Sequence, residues 1–138
     1  MIDAAALLNA FLVRTPYVQF LGMRAELAGD EMTAILPFQD KLIGNTAIPA
    51  LHGGMLGAFM EMTALAQLAI SEEVERLPKT IDVTVEFLRT GRPLTTYARA
   101  DLRKVGRRIA NVHVEAWQDE RREPVAALRG HFLLARQG

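Results

Sequence analysis

Residues 42–71 read LIGNTAIPALHGGMLGAFMEMTALAQLAIS, and Glu61 is the only one of them with a formal charge. Around it stand Met55, Leu56, Phe59, Met60, Met62, Leu65, Leu68 and Ile70. A segment apolar on every side is a helix enclosed by the rest of the fold, so Glu61 is expected to be buried with it. An ionised carboxylate is costly to bury alone; it finds hydrogen bonds or a counter-charge, or it keeps its proton. A lone acid on a buried helix is therefore a candidate for chemistry. The competing reading is a structural carboxylate held by an arginine or by backbone donors of another segment.

Pro49 cannot sit inside a helix and biases Ile48 towards extended geometry, so the helix starts at or just after Gly53-Gly54. Glycines there let a ligand approach the main chain and leave first-turn N–H groups without partners. Those donors, at the positive end of the helix dipole, suit a carbonyl oxygen that gains negative charge during a reaction. The stretch thus carries an oxyanion-type donor at one end and a carboxylate about two turns along, roughly 11 Å of helix rise. That is too far for both to touch one reacting atom. Unless the chain bends sharply, donor and acid serve one site from two copies of the protein.

The 138 residues make a single domain, 1–138, large enough for a full core. Half of them are hydrophobic and the formal charge is zero, which argues against a disordered chain and against a nucleic-acid binder driven by net charge. The absence of cysteine excludes a disulfide framework, a thiolate metal site and a cysteine nucleophile. The opening MIDAAALLNAFLVRTP lacks the basic region and cleavage pattern of a secretory signal. The apolar stretch is interrupted by Gly57 and Glu61 and has no long apolar extension, which argues against a membrane span. The expectation is a soluble, cytoplasmic protein with no nucleic-acid and no membrane partner.

Upstream, Asp3 is placed to cap a short helix through Leu12 that Thr15-Pro16 ends. Residues 20–28 and 31–37 read as two strands of a hairpin turned at Gly29-Asp30, and 38–51 as a loop. Downstream, residues 71–78 turn polar and end in a proline, so the helix surfaces there. From Lys79 the period becomes two: Ile81, Val83, Val85 and Phe87, then Thr96, Ala98, Ala100 and Leu102, then Ala110, Val112, Val114 and Ala116, and a last run over 125–134. Turns fall at Gly91-Arg92-Pro93, Val105-Gly106-Arg107 and 119–124. The class is α+β, a curved antiparallel sheet wrapped around one long central helix.

With this order on the page, the chain resembles the hotdog-fold acyl-CoA thioesterases, in particular their phenylacetate-pathway (PaaI-like) branch. The resemblance covers nearly the whole chain: N-terminal helix, hairpin, Asn-containing loop, His52-Gly53-Gly54, an acid seven residues beyond Gly54, then strands with Phe87-Leu88-Arg89 before one turn and Gly106-Arg107 in the next. It implies hydrolysis of an acyl-CoA thioester by a homodimer that can pair into a homotetramer. It implies Glu61 as nucleophile or general base and the Gly53 N–H, from the opposite subunit, as the group polarising the carbonyl. His52 and Asn45 would orient substrate or water, and Thr80 would position the water. Many relatives carry aspartate where this chain has Glu61; glutamate occurs in the hydroxybenzoyl-CoA branch, whose threonine one turn later is Leu65 here.

Gly54 and Met55 complete the helix start expected to meet substrate. Arg89, Arg107 and Arg108, at strand ends and turns, are either solvated edge residues or a basic rim for the phosphates of coenzyme A. No cofactor is expected, coenzyme A being part of the substrate. No metal site is expected either, because His52, His113 and His131 lack a second ligand at metal spacing. No Gly-x-Ser-x-Gly motif marks a serine nucleophile. The function expected is an acyl-CoA thioesterase; the alternative is a non-catalytic acyl-CoA binding or sensing module on the same fold.

Overall fold

The computed structural model describes residues 3–72, 74 and 76–135. Helix α1 (Ala4–Arg14) begins at the expected cap, where the Asp3 carboxylate accepts the Ala5 N–H at 3.0 Å. Thr15-Pro16 ends it but does not end helical structure. Pro16 opens a second, short helix, α2 (Pro16–Leu21), where its missing N–H costs nothing. Phe20 and Leu21 are therefore helical, and the hairpin expected from residue 20 is confined to β1 (Arg24–Ala28) and β2 (Glu31–Leu36). Gly29, at φ 68°, opens the two-residue turn between them, a left-handed position that suits glycine.

The loop expected over 38–51 is organised. A 3₁₀ turn (Asp40–Leu42) leads into a small ladder of β3 (Ile43–Asn45) with β4 (Ala50–Leu51). Helix α3 then runs unbroken from Gly53 to Ser71, through Gly57. It is followed by β5 (Arg76–Phe87), β6 (Thr96–Val105), β7 (Ile109–Trp117) and β8 (Ala126–Ala135). Strand β5 starts earlier than the proline suggested and contains Pro78, which an edge strand accommodates at the register shift between Arg76 and Lys79. Glu73 and Glu75 of the polar stretch lie outside the described residues.

The main sheet is antiparallel throughout, in the order β1-β2-β6-β7-β8-β5. Its concave face is what the alternation foretold: Ala98, Ala110, Val112, Val114, Ala116, Ala126, Leu128 and Phe132 are all buried. They close on Leu56, Phe59, Met60, Ala64, Leu65 and Leu68 of α3, and α1 covers the helix with Leu8 and Phe11. By length and composition α3 could cross a membrane; here its apolar surface is core. Its buried polar side chains are satisfied locally, Thr63 by the Phe59 carbonyl at 2.8 Å and Gln67 by the Ser71 hydroxyl at 2.6 Å.

One strand departs from the pattern. The apolar residues of β5 alternate as expected, yet Ile81 is 51% and Phe87 58% exposed, because β5 is the last strand of the sheet and nothing covers its outer edge in a single chain. Behind it, Gly130 of β8 leaves no room for a side chain: a Cβ there would lie 2.9 Å from Val83 Cγ1 and 3.0 Å from the Asp82 carbonyl oxygen. Gly130→Ala is expected to destabilise the fold by about 1–3 kcal/mol through overpacking, read as a lower urea midpoint; an unchanged midpoint would refute this close approach.

Candidate active site

The start of α3 is held from three sides. The Leu51 N–H donates to the Gly91 carbonyl at 2.8 Å and the His52 N–H to the Leu42 carbonyl at 2.7 Å. Gly44 lies against His52 so closely that a Cβ on it would sit 2.8 Å from His52 Cα. His52 is the helix N-cap, an unusual use of the residue: its Nδ1 accepts the Gly54 N–H at 2.9 Å, which places the proton of the neutral ring on Nε2. The Met55 and Leu56 N–H groups both reach the His52 carbonyl. One first-turn donor is left. Among the described residues the Gly53 N–H has no acceptor, so the free donors expected at the glycine pair reduce to Gly53 alone.

Gly53 faces the end of β5. A Cβ at Gly53 would lie 3.1 Å from the Phe87 ring, so glycine is what lets strand and helix start meet. Beside them opens a groove of 470 Å³, walled by Ile48, Leu51, Leu56, Phe87 and Leu88 and reaching Arg89. Its apolar walls, with one unused amide, suit a ligand that brings a carbonyl and little other charge.

Glu61 is half-buried rather than enclosed, because the side of α3 that carries it turns towards the uncovered edge at β5. The Thr80 hydroxyl donates to Glu61 Oε2 at 2.7 Å. No arginine or lysine lies within ion-pair distance of Glu61 among the described residues. Among the described residues the carboxylate is thus oriented through one oxygen while the other has no partner, as a base or nucleophile requires. The structural-carboxylate alternative needed an arginine or a set of backbone donors, and among the described residues neither meets Glu61.

The other expected site residues are distributed more widely. Asn45 Oδ1 accepts the Ala47 N–H at 3.0 Å and shapes the turn between β3 and β4. Met55 is half-buried, and its Sδ accepts from the Tyr17 hydroxyl of α2 at 3.9 Å. Arg89 Nη1 donates to the Pro124 carbonyl at 2.7 Å beside the groove. Arg107 and Arg108 sit at the opposite end of β5, in a separate pocket. His131 Nδ1 lies 2.9 Å from Asp82 Oδ1 on the neighbouring strand. Among the described residues no three His, Asp or Glu side chains converge as metal ligands would. Sequence reasoning missed Phe87 as the cover of Gly53; its place in the alternation was readable, but not its neighbour.

The family model of the thioesterase superfamily matches residues 49–125. The chain belongs to that superfamily. The matched span holds His52, Gly53, Glu61 and Thr80 and leaves Asn45 outside. Over 125 residues the chain is 30% identical to the medium/long-chain acyl-CoA thioesterase YigI of Escherichia coli K12, covering 80% of each protein. A crystal structure from Chromobacterium violaceum is similar with a TM-score of 0.77 at 37% identity, over 98% of both chains. The fold is also that of a phenylacetic acid degradation-related protein of Ralstonia eutropha JMP134, with a TM-score of 0.79 at 22% identity over 93% of this chain and 99% of that one. The hotdog architecture inferred from the sequence is the architecture of these solved structures.

In this thioesterase-superfamily chain the cap geometry makes a separable claim about His52. His52→Ala is expected to lose about 1 kcal/mol of stability, and His52→Asn, a good N-cap without the ring, to regain most of it. Urea midpoints of the two variants test this, and equal losses in both would mean that the ring does more than cap.

Proposed function

We propose that this thioester hydrolase cleaves acyl-CoA in a site shared by two copies of the chain. The observation that carries the reading is the partner of Glu61, a threonine hydroxyl at 2.7 Å rather than a counter-charge. The substrate carbonyl oxygen accepts the Gly53 N–H, which concentrates negative charge where a preorganised donor meets it. Glu61 of the partner subunit, aligned by its own Thr80, takes a proton from water through the unpartnered oxygen as that water adds to the carbonyl carbon. The tetrahedral intermediate then expels coenzyme A as thiolate, and the carbon–sulfur bond breaks. Direct attack by the carboxylate, giving an anhydride that water opens, uses the same two groups.

Two copies are required because α3 is one uninterrupted helix: Gly53 and Glu61 are eight positions apart, about 12 Å along the axis. The exposed apolar edge of β5 is the surface that supports their pairing. A long edge strand with unpaired N–H and C=O groups and uncovered apolar side chains is a template for a second strand, and a two-fold axis makes that strand another β5. By similarity to the E. coli relative, medium and long acyl chains are the substrates expected.

Glu61→Ala is expected to lower kcat for thiol release about 100- to 10,000-fold while light scattering still finds a dimer. An unchanged rate removes Glu61 from the mechanism. Saturable acyl-CoA binding with no thiol release by the wild type, across short, medium, long and aromatic acyl groups, would replace hydrolysis by the binding-module reading. Val83→Asp, which puts a charge into the exposed apolar edge of β5, is expected to give a monomer in light scattering and no thiol release; an active monomer would refute the shared site.

A further inference from the structure

Part of the wall of the groove beside Gly53 belongs neither to α3 nor to a strand. It comes from the loop between β5 and β6, residues 88–95, whose Leu88, Arg89, Thr90 and Gly91 line the cavity. A loop keeps one shape over a reaction site only where its backbone is tied down, and this one is tied at two places. At its start the Leu88 and Arg89 N–H groups both donate to the Val125 carbonyl, at 2.9 and 3.1 Å. At Arg92 the tie is a side chain, that of Gln118, the first residue past β7. Gln118 Oε1 accepts the Arg92 N–H at 3.0 Å, and Gln118 Nε2 donates to the Arg92 carbonyl at 2.8 Å. The same Nε2 reaches the hydroxyl of Thr96, a fully buried residue, at 3.2 Å. One primary amide therefore pairs with both main-chain groups of Arg92, much as a neighbouring strand would, and is itself held from the base of β6.

Gly91 lies between the two ties and meets the start of α3. Its carbonyl accepts the Leu51 N–H at 2.8 Å, and a Cβ on it would lie 3.2 Å from Leu56 Cδ1 and 3.3 Å from Leu51 Cβ. Leu51 is two residues ahead of Gly53, whose N–H has no acceptor among the described residues and so no bond of its own to direct it. That N–H shares a rigid peptide plane with the His52 carbonyl, which the Met55 and Leu56 N–H groups fix relative to α3. What fixes the plane relative to the groove is the pair of anchors on Leu51 and His52. The His52 anchor, on the Leu42 carbonyl, is independent of the loop; the Leu51 anchor is only as firm as Gly91.

We propose that Gln118 is a positioning residue for the hydrolysis. From behind the groove wall it holds Arg92 and Gly91, through Gly91 the Leu51 amide, and so the direction of the Gly53 N–H towards the oxygen that gains charge. Gln118 does not itself line the groove. A preorganised donor matters most in the transition state, where the charge is largest, so a small misdirection costs turnover rather than substrate binding. The inference rests on the thioesterase reading and adds a residue to its oxyanion side.

The test uses Gln118→Ala and Gln118→Glu. The second keeps the size of the side chain and sets an acceptor against the Arg92 carbonyl, which separates lost hydrogen bonds from lost packing. In both, kcat for thiol release from decanoyl-CoA is expected to fall about tenfold while KM stays within about twofold. The Leu51 amide is expected to exchange its hydrogen about tenfold faster, with the His52 amide less affected. Asp119→Ala is the control: it removes the exposed ion pair of Arg92 and Asp119, which joins the same two loops, and leaves the Gln118 clamp on the Arg92 backbone. It is expected to change neither kcat nor Leu51 exchange. Unchanged kcat in either Gln118 variant, a rise in KM alone, unchanged Leu51 exchange or an equal loss in Asp119→Ala overturns the role of Gln118 and leaves the thioesterase reading standing. No thiol release by the wild type overturns that reading instead.

Discussion

Helix α3 is stable only if its apolar circumference is covered on nearly every side, and the rest of the chain is arranged to meet that constraint. The sheet supplies a concave wall of alternate small and branched residues, from Ala98 to Phe132, and α1 lies across the helix with Leu8 and Phe11. A flat, two-sided sheet could not enclose a helix of this kind; a curved one can. Coverage fails along one line, where α3 turns Glu61 towards β5 and the sheet runs out of strands.

That failure is where the polar groups without partners collect. Elsewhere α3 satisfies its polar atoms within itself or with a near neighbour, as Thr63, Gln67 and the His52 cap do. What remains is the Gly53 amide, one oxygen of Glu61 and the unpaired edge of β5. An unmatched donor, an unmatched acceptor and an open strand edge within one region form a surface that a second copy and a carbonyl ligand can complete together. The same open edge gives β5 its exposed Ile81 and Phe87, so the site and the pairing surface follow from a single gap in the packing.

The region around the site was legible in proportion to how local each cause was. The N-cap, the helix start at Gly53 and the alternation of β6, β7 and β8 follow from residues adjacent in sequence, and each was readable. The second helix was missed because Pro16 has two meanings, a stop for α1 and a favoured first residue for α2, and only contacts choose between them. Asn45 was read for its chemistry, while its amide shapes the turn to Ala47. Arg89, Arg107 and Arg108 form one class of turn arginine in the sequence, yet strand β5 separates Arg89 from the other two in the subunit.

By itself the sequence determined the chemical inventory: one acid on an apolar helix, glycines at its start, a period of two afterwards, and no cysteine to offer another route. Periodicity encodes whether a side chain faces inward, because that depends only on local geometry. Tertiary structure alone decided who meets whom. It set Thr80 on Glu61, laid Phe87 over Gly53, and left β5 at the edge so that an alternation indistinguishable from that of a core strand faces solvent. Those outcomes depend on strand order and register, which join residues far apart in the chain, and no local pattern carries that information.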